Sequence, residues 1–567
     1  MADAAWAVKP ADWARARTLG SALSISPVTA QLLINRGFAD PDRARRFLQP
    51  RLAELRRPDG AEAMAGFAVA VERLARALAA AETIGVFGDY DVDGVTSCAL
   101  LASFLGDAGG RVVARVARRD AGYGFGVDDA ARFADAGCAV VVTCDCGTSD
   151  HDALAAARAR GIDVIVVDHH QVPERDPEAL ALINPHQPSC RFPFKGLASV
   201  GVAFYLAAAL RTRLRAAGRT SLPDPRALVD LVAVGTIADL APLTDENRIL
   251  VHHGIARLRE APRPGLAALA RVAGLDDGTM RGVDISLKLA PRLNAPGRLG
   301  DAAPALALLM ADASNAEARA AACEAANVER RAVQDRVAVE AMQQAEAQTD
   351  PVIVVAGAGW HAGVVGIVAA KLVDRFARPS VVIALDAAGR VGVGSARTVG
   401  GFHLHRALVG CADLLVRYGG HAAAAGLTVE AQHLGELRTR LSSAAREAFG
   451  GEVPAAILGV DAEIALDAVD ELLAEEVGRL EPFGVGNPEP VLAARGVTLE
   501  RARVVGENHL QVTLRDGLHA RDGIGFRLAD RDPGAGSLVR AAFVPEVDTF
   551  RGVRRVRVRL RDLSPEV

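Results

Sequence analysis

The stretch Ile84-Gly-Val-Phe-Gly-Asp-Tyr-Asp-Val-Asp-Gly-Val-Thr-Ser97 places three carboxylates, Asp89, Asp91 and Asp93, where an apolar strand ends and a helix begins. Like charges a few ångströms apart repel each other unless a cation or hydrogen-bond donors lie between them. Divalent metal ions bind oxygen-rich turns of this kind. A capped loop is the alternative, because Asp residues and Gly94 are also frequent in tight turns. The stretch therefore indicates a metal site or a capped turn at a strand end.

Length and composition indicate a globular protein of several domains. At 567 residues, half of them hydrophobic, the chain is too long for one ordinary core. Its net charge of −4 argues against a uniformly basic surface and leaves room for local basic segments. The seven cysteines lack a repeated Cys-x-x-Cys pair, which favours buried thiols in a reducing compartment. No signal-peptide pattern or membrane-length apolar run is evident, so we expect a cytoplasmic protein without membrane contact.

Strand and helix patterns alternate from about residue 76 to residue 240, after a first segment that reads as short amphipathic helices. The predicted strands are the apolar runs Ile84–Phe87, Val112–Val116, Ala139–Val142, Asp163–Val167 and Leu228–Val234. Alanine-rich helical stretches lie between them. This alternation predicts a parallel sheet with right-handed crossovers, in which functional groups gather at the carboxyl ends of the strands.

The second half of the chain begins with a long helical pattern. The stretch Ser314–Gln348 is rich in Ala, Glu, Arg and Gln and contains neither Gly nor Pro, which predicts one helix between domains. A second α/β unit follows. After Pro454, short strands separated by Gly, Asp and Asn turns indicate a small barrel. The predicted elements of the second unit are strands Val352–Val355, Ser380–Leu385 and Val391–Ala396 and helix Val364–Phe376.

Three further segments end in carboxylates. Asp145 and the triplet Asp168-His169-His170 each follow a predicted strand, and Asp239 ends the apolar stretch that begins at Leu231. Each has a simpler alternative, because single Asp and His residues often cap helices or lie in solvated loops. Taken together, the four segments predict a cluster at one edge of the sheet. Mixed carboxylate and imidazole ligands favour manganese over magnesium, with zinc as a further alternative.

A pair of ions in such a cluster would catalyse a particular reaction. Two divalent ions about 3.5–4 Å apart generate a hydroxide and stabilise the attacking and leaving oxygens in phosphoryl displacement. The four segments therefore predict phosphoester hydrolysis.

The ordered set Asp89-Tyr-Asp-Val-Asp-Gly94, Asp145, Asp168-His-His170 and Asp239 resembles the DHH phosphoesterase superfamily. Within it, the chain is similar to the single-strand-specific 5′→3′ exonucleases from about residue 25 nearly to its end. The segments that carry this similarity are Arg118–Gly124, Ala290–Arg298, Gly359–Gly366, Gly394–Arg397, Gly419–His421 and Glu481–Pro488. The resemblance implies an α/β fold: a parallel-sheet DHH domain joined by a long helix to a smaller α/β DHH-associated domain, followed by a C-terminal OB-like β-barrel.

The same resemblance implies domain limits and residue roles. The expected domains are an N-terminal helical segment 1–75, a DHH catalytic domain 76–310, a connecting helix 311–349, a DHH-associated substrate-binding domain 350–450 and an OB-fold nucleic-acid-binding domain 451–567. The implied metal ligands are Asp91, Asp93, Asp145, His169 and Asp239. Asp89 and His170 would ligate or orient, and Asp168 would support an imidazole. Arg118, Ser395 and Arg397 would hold a 5′ phosphate, and His421 would reach the scissile group. Arg292 and Asn294 would also bind the substrate, and Asn294 and Arg298 would lie near the cleft.

The last predicted strand carries a basic pattern. Six arginines lie between Arg551 and Arg561, and Arg555, Arg557 and Arg559 share one face. We expect these arginines to face almost no acid. A solvated strand face is the plain interpretation, but beside an OB-like barrel an electrostatic track for a phosphate backbone is favoured. Because only 4% of the residues are aromatic, base stacking should be sparse. The local stacking candidates are Phe526, Phe543 and Phe550.

The resemblance implies a monomeric exonuclease that hydrolyses single-stranded DNA from its 5′ end with two Mn²⁺ or Mg²⁺ ions and releases 5′-mononucleotides. Recombination and repair are the expected settings, with a single-strand-binding protein and a DNA helicase as partners. Two alternatives remain: a shorter DHH enzyme such as a nano-RNase, adenosine-bisphosphate phosphatase or inorganic pyrophosphatase, and a non-catalytic replication scaffold. The stretch Pro454–Val567 argues against the first, and the complete ligand set against the second.

Overall fold

The computed structural model describes residues 5–57, 60, 62–175, 177–275, 278–450, 457–548 and 554–566. Its strands are β1 Ala5–Val8, β2 Thr83–Gly88, β3 Arg111–Val116, β4 Cys138–Cys144, β5 Asp163–Val167, β6 Ala181–Ile183, β7 Ile353–Ala358, β8 Ser380–Leu385, β9 Val391–Arg397, β10 Leu415–Gly420, β11 Ala424–Glu430, β12 Ile457–Val460, β13 Ala462–Glu463, β14 Leu492–Val505, β15 His509–Asp516, β16 His519–Gly525, β17 Leu538–Asp548 and β18 Arg555–Pro565. Its α-helices are α1 Trp13–Leu23, α2 Pro27–Asn35, α3 Pro41–Leu48, α4 Phe67–Ala79, α5 Val92–Asp107, α6 Val127–Asp135, α7 His151–Ala159, α8 Ser199–Ala216, α9 Val229–Ala238, α10 Asp245–Glu260, α11 Pro264–Val272, α12 Gly282–Asp284, α13 Ala290–Leu299, α14 Ala303–Leu309, α15 Ala316–Glu346, α16 Ala362–Phe376, α17 Leu404–Val409, α18 Leu434–Phe449 and α19 Glu471–Gly478.

Five parallel strands form the sheet of the first α/β domain, in the order β3-β2-β4-β5-β6. β2, β4 and β5 are almost wholly buried, as parallel strands are when helices cover both faces of the sheet. The four predicted strands between Ile84 and Val167 are confirmed. The sequence analysis missed β6, because a strand of three residues carries too little pattern to be distinguished from a loop.

The predicted strand Leu228–Val234 is wrong, because these residues belong to a 3₁₀ turn and to helix α9. The helix packs between α5, α8 and α10, and residues 229–237 are all buried. Periodicity cannot distinguish a short helix that is apolar on nearly every side from a buried strand. Asp239 therefore follows a helix rather than a strand.

The second α/β domain follows the long helix α15, which confirms the predicted connecting helix. Its sheet has the order β10-β11-β9-β8-β7, in which only β7 and β8 run parallel. The predicted strands Ser380–Leu385 and Val391–Ala396 and the helix that ends at Phe376 are confirmed. The glycine-bounded segment around His421 is the turn of the hairpin formed by β10 and β11.

The C-terminal domain is a closed five-stranded barrel, β14-β15-β16-β18-β17, because β14 also pairs with β17. Helices α1, α2 and α3 pack on it and share its hydrophobic core. One part of the predicted helical segment is wrong: Ala5–Val8 is strand β1, which pairs in parallel with β12. A strand of four residues is stable only beside its partner, and that partner lies more than 400 residues away in the chain.

Two global expectations can be compared with the structure. All seven cysteines are buried and free, which confirms the absence of a disulfide framework. Among the described residues, every helix is too short or too polar to span a bilayer.

Phe543 gives a stability prediction for the barrel. It is fully buried on β17, so its proposed role in base stacking is wrong, whereas Phe526 is 53% exposed. We expect Phe543→Ala to lower the free energy of unfolding by about 3 kcal/mol or more, because it removes a large apolar side chain and leaves a cavity. Urea denaturation measures this change, and Phe526→Ala is the matched control, with an expected change of about 0.5 kcal/mol or less. Equal losses in the two variants would contradict the assignment of Phe543 to the core.

Candidate metal centre

Acidic and imidazole side chains meet at the carboxyl edge of the parallel sheet. The chain runs from β2 outward to β3 and returns to β4 on the other side of β2, which creates the switch point where α/β sheets bind ligands. Three overlapping groups have ligand atoms within 4.8 Å of one another: Asp145 with His169 and His170, Asp93 with His169 and Asp239, and Asp89 with Asp91 and Asp145. Since Asp145 and His169 each belong to two groups, this arrangement can hold two neighbouring ions.

The first carboxylate cluster is shaped by the start of helix α5. Asp91 caps the helix, and its Oδ1 accepts hydrogen bonds from the backbone N–H groups of Asp93 and Gly94, at 3.0 and 3.2 Å. A Cβ atom on Gly94 would lie 2.5 Å from the backbone nitrogen of Asp89, so only glycine allows this close turn. The capped turn and the metal cluster are thus the same structure, and the two interpretations of the sequence do not exclude each other.

Helix α8 supports two of the carboxylates from across the cleft. The backbone N–H groups of Ser199 and Val200 donate to the two carboxylate oxygens of Asp93, at 2.7 and 2.9 Å. The Ser199 hydroxyl donates to Asp145 Oδ1 at 3.2 Å. Ser199 was not predicted, because nothing in its local sequence links it to Asp93 and Asp145, which lie 106 and 54 positions earlier.

Asp145 adopts an unusual backbone conformation where β4 ends. Its φ of 63° lies in the left-handed region, which is uncommon for residues other than Gly, Asn and Asp and often marks a functional site. The side chain is buried, and its Oδ1 lies 3.2 Å from Nε2 of His169. Tyr123 donates its hydroxyl to the backbone carbonyl of Asp145 at 3.1 Å, and the hydroxyl oxygen lies 3.2 Å from Nε2 of His170. Tyr123 lies in the segment Arg118–Gly124, for which the sequence predicted a role of Arg118 only.

Asp168 organises the two histidines that follow it. Its Oδ1 accepts from the backbone N–H groups of His169 and His170, at 2.7 and 3.2 Å, and from His170 Nδ1 at 2.7 Å. These bonds turn the backbone so that both imidazoles lie on one side, with ring centroids 4.7 Å apart. Burial opposes ionisation of Asp168, but the hydrogen bond and charge of His170 outweigh it and hold the pKa of Asp168 below its ordinary value. The structure thus places Asp168 where the expected support of an imidazole requires it.

The two imidazoles have different charge states. Burial lowers the pKa of His169 to about 4, so its ring is neutral at pH 7 and offers a lone pair. Burial also lowers the pKa of His170, but the hydrogen bond and charge of Asp168 outweigh this effect and raise the pKa to about 9. His169 therefore suits direct metal ligation, whereas His170 in this state donates hydrogen bonds.

Burial and mutual repulsion disfavour the ionised form of the carboxylates, and a bound cation would relieve this repulsion. Burial and then the charge of Asp91 raise the pKa of Asp93 to about 7, and burial with the charges of Asp93 and Asp91 raises the pKa of Asp239 to about 8. Burial raises the pKa values of Asp89 and Asp145 well above the ordinary range. Asp89 Oδ2 and His169 Nε2 are buried and accept no hydrogen bond from the described residues. Buried oxygen and nitrogen atoms without hydrogen-bond partners are available to ligate a metal ion. A ligand set of carboxylate oxygens and imidazole nitrogens fits Mn²⁺ or Mg²⁺.

The residues expected at a 5′ phosphate lie partly in the second α/β domain. Arg397 Nη1 donates to the Ser395 hydroxyl at 2.9 Å, and among the described residues no carboxylate forms an ion pair with Arg397. Burial lowers the pKa of Arg397, and burial together with the charge of Arg119 lowers the pKa of Arg298 to about 10. Arg298 also donates to the carbonyl of Gly363 at 3.1 Å, at the start of α16. These guanidinium groups form a positive region beside the acidic cluster.

Arg118 and His421 lie on exposed parts of the chain. The Arg118 guanidinium forms an ion pair with Asp120 at 2.7 Å, which a phosphate would have to displace. His421 is exposed in the hairpin turn, and its backbone N–H donates to the carbonyl of Ala424 at 2.8 Å. Their roles at the substrate remain predictions.

Arg292 is placed away from an open substrate surface. It is buried, with Nε 2.5 Å from Glu324 Oε2 on the long helix, and it also donates to the carbonyl of Lys288. The ion pair braces helix α13 against α15, which the local sequence around Arg292 does not reveal. Asn294, on the same helix, is half-buried.

The prediction that the C-terminal arginines face almost no acid is wrong. The ion pairs join Arg554 to Glu471 and Glu475, Arg557 to Glu546 and Asp548, Arg559 to Glu489 and Glu546, and Arg561 to Glu489. The partners come from α19, from β17 and from the loop before β14, so inspection of neighbouring sequence could not find all of them. Arg555 is exposed, and Arg551 and Phe550 lie outside the described residues.

Comparison with known proteins assigns three parts of this architecture to known domain families. Family models match residues 83–236 as the DHH family, N-terminal domain, residues 349–447 as the DHHA1 domain and residues 460–562 as the RecJ OB domain. The single-stranded-DNA-specific exonuclease RecJ of Bacillus subtilis is 37% identical over 567 residues, which cover 99% of this chain and 70% of that protein. The chain belongs to the RecJ family. The RecJ of Dickeya dadantii is also 37% identical, over 88% of this chain and 91% of that protein.

Solved RecJ structures agree with this assignment. The crystal structure of Thermus thermophilus RecJ in complex with Mn²⁺ has a TM-score of 0.85 at 30% identity and covers 100% of this chain and 81% of that chain. The Mg²⁺ complex of the same protein has a TM-score of 0.78 at 29% identity and covers 99% of this chain and 79% of that chain. The predicted DHH, DHH-associated and OB folds are therefore confirmed for this RecJ-family chain.

Proposed function

We propose that this chain is a single-stranded-DNA-specific 5′→3′ exonuclease that hydrolyses phosphodiesters with two metal ions and releases 5′-mononucleotides. One observation carries the proposal: the ligand groups around Asp145 and His169 overlap, in a chain that belongs to the RecJ family. The complete set of carboxylates and the closed barrel argue against a non-catalytic scaffold and against the shorter DHH phosphoesterases. Recombination and repair of DNA fit this activity.

The proposed metal ligands are Asp91, Asp93, Asp145, His169 and Asp239, with Mn²⁺ or Mg²⁺ as the ions. Asp89 and His170 complete the catalytic set, and Asp168 and Ser199 hold it in place. When bound, the ions supply a nucleophile from water and stabilise charge on the scissile phosphate. The hydrogen bonds from α8 fix Asp93 before substrate arrives, so that little reorganisation is needed at the moment of reaction. His170, whose pKa is raised to about 9, would donate a hydrogen bond or a proton to a phosphate oxygen.

Direction along the strand is proposed to come from recognition of the terminal 5′ phosphate. Ser395 and Arg397 lie on β9 and would bind this phosphate together with Arg118 of the first α/β domain, and His421 would contact the scissile group. Arg298 and Asn294 would lie near the cleft. A fixed guanidinium fork suits a phosphate dianion, whereas a 3′ hydroxyl offers no such charge.

The activity is tested with single strands labelled at either end, in the presence of Mn²⁺. We expect mononucleotides to be released from the 5′ end of single strands and much less from blunt duplex. Absence of any release would exclude the nuclease activity, and equal release from duplex or from 3′ ends would exclude the proposed specificity while leaving the hydrolytic centre intact.

Arg397→Ala tests the role of the phosphate pocket. Wild-type protein should prefer a 5′-phosphorylated strand to a 5′-hydroxyl strand, and the variant should lose about 10–100-fold in kcat/KM on the phosphorylated strand only, because one charge-assisted contact is removed. Arg390→Ala is the matched control, since Arg390 is exposed at the opposite end of β9. Equal loss on both substrates would assign Arg397 a structural role instead.

Partners, location and domain limits complete the proposal. We place single-stranded DNA on the barrel, and a single-strand-binding protein and a helicase as partners of a monomer. The seven free thiols and a DNA substrate support a cytoplasmic location. The limits 1–75, 76–310, 311–349, 350–450 and 451–567 remain our division of the chain.

A further inference from the structure

An apolar groove lies between the first α/β domain and the barrel. Its cavity volume is about 560 Å³, and it lies between the turn that follows Asp239, the segment around Leu287 and the barrel. Leu240 directly follows the proposed ligand Asp239, with a φ of 60° and 65% of its surface exposed, and Leu287 and Phe526 are 67% and 53% exposed. Exposed apolar side chains that share one groove are typical of a binding surface. This groove lies next to the metal centre along the chain, because Leu240 follows Asp239.

Charged groups on the barrel side of the groove neutralise one another. Arg559 and Arg561 line it from β18, and Glu489 lines it from the loop before β14. Glu489 Oε1 lies 2.6 Å from Arg559 Nη2, and Glu489 Oε2 accepts from Arg561 Nη2. Arg559 also pairs with Glu546 at 2.6 Å, but Glu546 is not among the residues that line the groove. The carboxylate of Glu489 thus forms ion pairs with both arginines that line the groove from the barrel.

A phosphodiester can take the place of this carboxylate. Both groups present two oxygens that share one negative charge, and both accept hydrogen bonds from a guanidinium fork. Leu240 and Leu287 on the wall opposite the barrel, and Phe526 on the barrel itself, are suited to contact bases, which each have an apolar face. A single strand that lies in the groove would bring its phosphates to the arginines of β18.

We propose that Glu489 is an internal competitor for the DNA backbone: it holds Arg559 and Arg561 until a phosphate of the incoming strand displaces it. This inference rests on the proposed nuclease function. An exonuclease must advance its substrate by one nucleotide in each cycle, so every phosphate contact has to break. Glu489 re-forms its ion pairs as a phosphate leaves, which lowers the free-energy cost of that step and weakens binding to long strands.

The test is Glu489→Gln, which removes the charge and keeps the size of the side chain. Affinity is measured by fluorescence anisotropy on the full-length protein in chelator, with a strand of about 16 nucleotides, long enough to fill an OB fold. We expect the variant to bind about fivefold more tightly at low salt, as for one partly exposed ion pair. The plot of log K against log salt should also steepen by about 0.7, the value for one added phosphate contact on a single strand.

Two further variants separate this mechanism from a general charge effect. Glu546→Gln removes a charge from the same arginine but outside the groove, and it should change affinity by less than about twofold. Adding Arg561→Gln to Glu489→Gln should abolish the gain. The inference is overturned if Glu489→Gln binds no more tightly than Glu546→Gln while both retain the wild-type melting temperature, or if the gain survives in the double variant.

Nucleotide release from di- and trinucleotides keeps this test independent of the proposed function. Hydrolysis of these substrates and of the longer strand is measured on the wild-type protein and on Glu489→Gln, beside the affinity. Failure of the wild-type protein to hydrolyse any strand, with the affinity gain intact, would reject the nuclease and leave the competition for the arginines established. Hydrolysis without the affinity gain would reject the role of Glu489 alone.

Discussion

Asp145→Asn lowers nucleotide release from a 5′-phosphorylated single strand by about 1,000-fold or more in saturating Mn²⁺, because several kcal/mol of transition-state stabilisation depend on correct metal placement. Asp145 belongs to two of the three overlapping ligand groups. Asparagine keeps the shape of the side chain but lacks the negative charge, so it weakens both proposed ion positions at once. Quantification of released mononucleotides under single-turnover conditions measures the effect.

Thermal denaturation in chelator distinguishes this loss from misfolding. Without metal, burial and neighbouring carboxylates keep the pKa of Asp145 far above its ordinary value, so the charge at this position destabilises the folded chain. Asp145→Asn should therefore melt at the same temperature as the wild type or higher. Asp152→Asn, an exposed position on α7, is the control and should retain full activity. A variant at Asp145 that keeps more than a tenth of the wild-type rate would contradict its place in the centre.

Removal of metal produces the second large effect. Exhaustive treatment with a chelator should reduce nucleotide release to background, and added Mn²⁺ or Mg²⁺ should restore it, because the ligand atoms of the buried carboxylates and of the neutral His169 cannot activate water without a bound ion. Metal should also raise the melting temperature. Binding to the folded state alone adds about 2.7 kcal/mol of stability at a concentration one hundred times Kd.

The melting temperature provides a readout that does not depend on activity. Mn²⁺ should raise it strongly in the wild type and much less in Asp145→Asn or Asp93→Asn, because both side chains belong to the overlapping ligand groups. Ca²⁺ is a useful comparison, since it prefers more oxygen ligands and a looser geometry. Full nucleotide release in excess chelator, or an identical rise in all variants, would show that the ions do not bind at this cluster.

Some features of this protein follow from short stretches of its sequence. Buried strands, the Asp-rich turn with Gly94 and the long helix Ala316–Glu346 each depend on residues that are neighbours in the chain. Apolar runs, turn residues and helix-forming composition act over a few residues, and they favour the same local structure in most tertiary contexts. For that reason the positions of Asp145 and His169 at strand ends, and hence the chemistry of the cluster, were predictable before the structure.

Other features depended on contacts between distant parts of the chain. Val229–Ala238 is a helix, although its burial on nearly all sides gives it the apolar pattern of a strand, and Ala5–Val8 is a strand because β12 lies beside it. Ser199 reached Asp93 from across the cleft, and Glu489 reached Arg561 from another part of the barrel domain. The sequence alone determined which groups sit at the end of each element. The tertiary structure alone decided which of them are paired, because electrostatic and hydrogen-bond partners are set by distance in space and not by separation along the chain.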